Sequence, residues 1–310
     1  MKRTKPRIFA LSGLILAAAL AAGLAGCQGV PASVSASPCE FKALDVKVPS
    51  RGVQIPAVLT VPDVTGKVPL VVMAHGHGGS KEEAGGFTAI AEDLARNGIA
   101  SVRMDFPGCG QSAEPFTANN VTNMLTDADA CRAFAQEAAA IDAKRIGMFG
   151  YSMGGRIAIL DTRRAAYRSL ALLAPVATDG PDSMYTFMGG KDAYEALKAK
   201  AQADGHVVFT TMFGQVQDLG LKWFADNADA QCIEAVASYS GPILYVHGTK
   251  DTIVDSSVLD ASAAAARKSA KVERVTIEGA DHGYGFYGGD PRLKTDTVNA
   301  IVSFFVKTLR

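Results

Sequence analysis

The chain has 310 residues, 48% of them hydrophobic and 20% charged, which is the composition of a folded protein large enough to bury a substantial core. Lys+Arg and Asp+Glu both number 31, so the formal net charge is zero. That balance gives no basic excess for nucleic acid and no acidic tail.

Lys2, Arg3, Lys5 and Arg7 precede an uncharged Ala- and Leu-rich run from Ile8 to Ala25. This is the layout of a secretory signal. Its length also approaches that of a single membrane span. The following Leu24-Ala25-Gly26-Cys27 resembles the bacterial lipobox, whose cysteine becomes the lipid-bearing N-terminus. Residues 1–26 are therefore expected to be a lipoprotein signal peptide, with Cys27 as the lipidation site. The expected location is the bacterial cell envelope, at the outer membrane in a Gram-negative host. Residues 27–38, rich in Ser, Ala and Pro, read as a tether. The folded part is expected over 39–310. In an exported chain, Cys39, Cys109, Cys131 and Cys232 are disulfide candidates, and spacing does not choose among their pairings. Cys131 is the nearest plausible partner for Cys109.

The β-branched and apolar runs at 53–61 and 70–74 predict strands. Helical spacing follows over 81–97, stopped by Gly98. A strand at 99–104 precedes a helix over 119–140, with apolar residues at i, i+3, i+4 spacing. Strand 145–149 and helix 154–164 flank Gly150-Tyr151-Ser152-Met153-Gly154. Further strands are predicted at 169–173, 243–246 and 272–277, and a closing helix at 293–309. Strands alternating with helices imply a mostly parallel sheet covered on both faces. The segment 175–241 breaks that rhythm. It reads as short helices joined by glycines, forming a cap insertion over one end of the sheet.

Gly-x-Ser-x-Gly between a strand and a helix marks a sharp elbow that exposes a serine at the top of the sheet. Ser152 is the candidate nucleophile. A serine hydroxyl needs a base to take its proton. Of five histidines, His282 follows the last strand on a late loop able to reach Ser152. His75, His77, His206 and His247 read as loop-shaping residues. Asp251, after the strand at 243–246, is the candidate acid, with Asp255 as its rival. The order Ser152, Asp251, His282 is that of the α/β-hydrolase arrangement. The Met153 amide and the His77 amide, in the Gly-rich His75–Gly79 loop, are the expected oxyanion donors. Cys109, in "DFPGCGQS", has nothing nearby to make it a reactive thiolate.

"MAHGHGGSKEE", "SVRMDFPGCGQS", "GMFGYSMGGRIAI", "LYVHGTKDTIV" and "IEGADHGYG" resemble the matching blocks of α/β-hydrolase esterases. They are most similar to those of the bacterial cinnamoyl/feruloyl esterase group. The resemblance runs from about residue 50 to the end of the chain and is poor in 175–241. It implies a serine esterase that works through an acyl-enzyme on aromatic (hydroxycinnamate) or short-acyl esters. Neither a metal nor an organic cofactor is needed for that chemistry. The insertion's Met184, Tyr185, Phe187, Met188, Phe213, Trp223 and Phe224 are expected to build the substrate pocket. Two alternatives use the same fold. A serine peptidase would employ the same triad, but the β-propeller segment of the oligopeptidases is not seen. A surface lipoprotein that only binds would show an incomplete triad.

Overall fold

The computed structural model describes residues 38–310. The expectations for a signal peptide at 1–26, lipidation at Cys27 and a tether at 27–38 lie outside the described residues, Pro38 excepted.

The apolar runs of the sequence become the strands of one sheet: β1 Phe41–Ser50, β2 Val53–Pro62, β3 Val68–Ala74, β4 Ala100–Met104, β5 Ile141–Tyr151 and β6 Ser169–Leu173. A separate hairpin, β7 His206–Thr210 and β8 Val216–Gly220, follows. The main sheet then resumes with β9 Ile243–Gly248 and β10 Val272–Ile277. Among the described residues its order is β1-β2-β4-β3-β5-β6-β9-β10. β1, β2 and β4 pair antiparallel, and every other pairing in that sheet is parallel. Every residue of β3, β4 and β6 is buried, as strands covered on both faces require.

The helices are α1 Gly86–Arg96, α2 Val121–Ala138, α3 Met153–Asp161, α4 Lys191–Asp204, α5 Leu221–Asp229, α6 Cys232–Ser238, α7 Ser256–Ala265 and α8 Pro291–Leu309. α1 packs on α8, whereas α3 packs on α2 and α6, and α6 on α7. The two-residue period of β5 shows the sheet's use of its faces. Phe149 stacks on Phe87 of α1, and Gly147 leaves room for Phe305 of α8.

The segment joining β6 to β9 carries α4, the β7–β8 hairpin, α5 and α6. The hairpin corrects the reading of this region as helices alone. Its strands alternate buried Val207, Phe209 and Leu219 with exposed His206, Val208 and Val216. β1 and α7 are further elements that the sequence reading left out. β1 is a sheet edge whose Lys42, Asp45 and Lys47 break the apolar pattern, and α7 is built largely of Ser and Ala.

The expected disulfides do not form. Cys39, Cys109, Cys131 and Cys232 are all free thiols. The reason is placement: Cys131 is in the core face of α2, Cys232 opens α6 against the Val176 carbonyl, and Cys109 sits under Asn119 in the loop after β4. Burial pushes the Cys109 thiol up to about 12, against a role as a reactive thiolate.

Candidate active site

The turn from β5 into α3 explains the glycines around Ser152. Ser152 has φ 53° and ψ −116°, a conformation that side chains rarely adopt. Its amide donates to Leu173 O at 2.9 Å, and its carbonyl accepts from Gly155 and Val176. These bonds over-determine the strained residue. A Cβ on Gly150 would lie 2.1 Å from the Gly154 carbonyl oxygen, and one on Gly154 would lie 1.9 Å from Ala74 O. Neither position has room for a side chain.

The late loops bring two partners to the serine. The Ser152 hydroxyl faces His282 Nε2 at 3.0 Å. On the other side of the ring, His282 Nδ1 meets Asp251 Oδ2 at 2.8 Å. Asp251 is held in turn. Its Oδ1 accepts the amides of Ile253 and Val254 at 3.0 Å each, and Oδ2 also accepts the Tyr284 hydroxyl at 3.2 Å. Burial pushes the Asp251 carboxyl up. The bond and charge of His282 and the two amides outweigh it, so the carboxyl rests below its ordinary value. The rival Asp255 is elsewhere: it caps α7 by accepting the Ser257 amide at 2.8 Å. Tyr151 hydrogen-bonds the His282 carbonyl, tying the histidine loop to the elbow.

His77 and Met153 both line the cavity above Ser152. Among the described residues neither backbone amide donates to a protein acceptor. The His77 ring is fixed by Gln217 Oε1 at 2.7 Å and by edge contacts with Phe116, Phe187 and Trp223. Burial pulls this imidazole down to about 4, so it is neutral near pH 7. The remaining histidines are engaged with other groups. His75 accepts the Phe106 amide and bonds Gly76 O, His247 pairs with Val254 O, and His206 pairs with Asp218.

The cavity measures about 520 Å³. From the predicted pocket set, Met184, Phe187 and Phe213 line it. Tyr185 and Trp223 do not, nor do Met188 and Phe224. Trp223 and Phe224 are fully buried and pack on Tyr194, and Tyr185 stacks on the same ring. Trp223 instead backs the His77 ring. The sequence reading missed Met212 and Gln215 at the hairpin turn, Ile253 and Val254 behind the acid, and Glu83 with Tyr287. Glu83 is buried, accepts the Gly76 amide at 2.7 Å and is hydrogen-bonded by Tyr287. No local motif marks it, because its neighbours come from distant loops.

Residues 71–293 match the alpha/beta hydrolase family. The chain belongs to that family. Among curated relatives, this alpha/beta hydrolase is 34% identical over 113 residues to the quorum-quenching protein AidA of Acinetobacter baumannii (strain MDR-ZJ06). That match spans 36% of this chain and 36% of AidA. It is 24% identical over 231 residues to a probable 2-oxo-3-(5-oxofuran-2-ylidene)propanoate lactonase of Bradyrhizobium sp, covering 71% of this chain and 75% of that protein. Among solved structures, Est1E from Butyrivibrio proteoclasticus with bound ferulic acid superposes with a TM-score of 0.69 at 24% identity, over 85% of this chain and 98% of that one. An esterase of Pyrococcus furiosus gives 0.61 at 15% identity, over 87% and 92%. At these identities the structural likeness shows the shared fold.

Proposed function

We propose that this alpha/beta hydrolase is a serine carboxylic-ester hydrolase. The hydrogen-bonded line Ser152–His282–Asp251, opening into a mainly apolar cavity, carries the reading. Ser152 Oγ attacks the ester carbonyl carbon while His282 Nε2 takes the hydroxyl proton. Asp251 fixes the ring with Nδ1–H toward itself and stabilises the imidazolium. The oxyanion is received by the Met153 and His77 amides. Collapse breaks the carbonyl–oxygen bond to the alcohol, which leaves with the proton from His282. Water then repeats the sequence on the acyl-enzyme and releases the acid.

Aromatic acyl groups of the hydroxycinnamate kind and short acyl groups are the candidate substrates, because Phe187, Phe213 and Met184 line the same cavity as Ser152. A lactone is a cyclic ester, and a relative named as a lactonase adds lactones to that set. The test is a panel of 4-nitrophenyl acyl esters, methyl hydroxycinnamates and lactones. The enzyme is expected to cleave at least one class, and Ser152→Ala to lower turnover by on the order of a million-fold. Wild-type turnover in purified Ser152→Ala would refute the assignment.

We infer further that the chain is anchored in the bacterial envelope through lipid on Cys27. The charged start, the apolar run and Leu24-Ala25-Gly26-Cys27 support this. Mass spectrometry of the protein from a bacterial host should find an acylated N-terminus at Cys27. An unmodified N-terminus elsewhere would contradict it.

A further inference from the structure

The walls of the cavity carry charge of one sign. Among the described residues that line it there is no lysine or arginine, but there are two carboxylates, Glu83 and Asp281. Lys81 lies close in sequence to the oxyanion loop, yet its ammonium is buried against Asp105 at 2.8 Å. Of the two lining histidines, His77 is neutral near pH 7 through burial, and His282 is the base that accepts the serine proton.

Glu83 faces this space without a cationic partner. Its Oε1 accepts the Gly76 amide, and its Oε2 is met only by the Tyr287 hydroxyl. Asp281 precedes the catalytic histidine and is solvent-exposed, with Oδ1 on the Gly283 amide at 3.0 Å. The rest of the polar lining is neutral, from side chains such as Gln215, Ser183 and Thr252. Such amides and hydroxyls can solvate an uncharged polar group. A substrate carboxylate would leave water for an apolar cavity, find no counter-ion and meet like charge.

We propose that the site takes uncharged esters or lactones and turns away esters that carry a free carboxylate, with Glu83 and Asp281 as the repelling groups. This selectivity rests on the esterase reading above, and it would set the chain apart from the relative named for a lactone that itself carries a carboxylate. It acts by repulsion, which discriminates without any new contact to the favoured substrate.

The experiment compares two 4-nitrophenyl esters of adipic acid, one with the far end as a free carboxylate and one as the primary amide. The pair is nearly isosteric and differs in charge. Assays run at pH 8, because burial pushes the Glu83 carboxyl up to about 7 and it must be ionised. After subtraction of spontaneous hydrolysis, kcat/KM should favour the amide by about 100-fold. Glu83→Gln and Asp281→Asn, which keep the side-chain shape and one acceptor oxygen each, should each narrow that ratio several-fold. The ratio is the readout, so a loss of rate common to both substrates does not affect it. Equal kcat/KM for the pair, or a preference for the carboxylate, would overturn the proposal. A ratio unchanged in both variants would overturn it as well, since the repulsion is assigned to these two residues. Inertness toward both adipates and toward 4-nitrophenyl acetate would instead contradict the esterase reading beneath it.

Discussion

Glu83 carries an energetic cost that can be measured. Its φ is 41°, Ala84 follows with φ 49°, and its buried carboxyl titrates near 7 instead of near the ordinary glutamate value of 4.5. The sign follows from linkage. Between those two values the folded state holds a proton that the unfolded state has released, so stability falls as pH rises. The contribution is fully present below pH 4.5 and is lost as pH passes through about 7. The shift corresponds to about 3 kcal/mol. Glu83→Gln removes the titration. Urea unfolding at pH 4.5 and pH 8.5 should show wild type losing more stability across the interval than the variant, by up to about 3 kcal/mol. Identical changes in the two proteins would show that Glu83 is not the titrating group. The second glutamate in "SKEEAGG" gives no such hint, since Gly76 and Tyr287 reach it only in the folded chain. Ser152 is different. The crowding of Gly150 and Gly154 is local, so five consecutive residues announce the elbow.

At the scale of elements, the segment between β6 and β9 divides into residues that face the cavity and residues that hold the segment down. Phe187 and Phe213 belong to the first kind, Trp223 to the second. Phe187→Ala and Phe213→Ala should change the ratio of kcat/KM between aromatic-acyl and acetyl esters by roughly 10- to 200-fold, with the fold kept. Trp223→Ala should cost about 3–5 kcal/mol of stability and lower activity on both esters together. Paired kinetics and thermal unfolding separate the two behaviours; a shared pattern in all three variants would contradict the division. Sequence alone could not make this distinction, because an aromatic side chain reads the same whether it lines a cavity or fills a core. The hairpin was hidden for a related reason. Gln217 and Asp218 dilute the strand pattern of β8, and one face of β7 is solvated. By contrast β3, β4 and β6 are short, apolar and buried, which makes them legible at once.

Across the whole molecule, a mostly parallel sheet sets its strand ends so that β5, β9 and β10 deliver Ser152, Asp251 and His282 to one end. The chain order of those three residues and the strand–helix alternation were readable from sequence, because both follow from connectivity. The disulfide expectation failed because cysteine count and compartment carry no distance information, and the fold places the four thiols in unrelated surroundings. The central claim is that Ser152 is a nucleophile activated by His282. An alkyl fluorophosphonate reports on that directly, since it phosphonylates only a serine whose proton is being removed. Incubation followed by peptide mass spectrometry should place one phosphonyl group on Ser152, with labelling slowed by on the order of a thousand-fold or more in His282→Ala. A protein that stays unlabelled, carries the group on another serine, or is labelled equally fast without His282 would contradict the account.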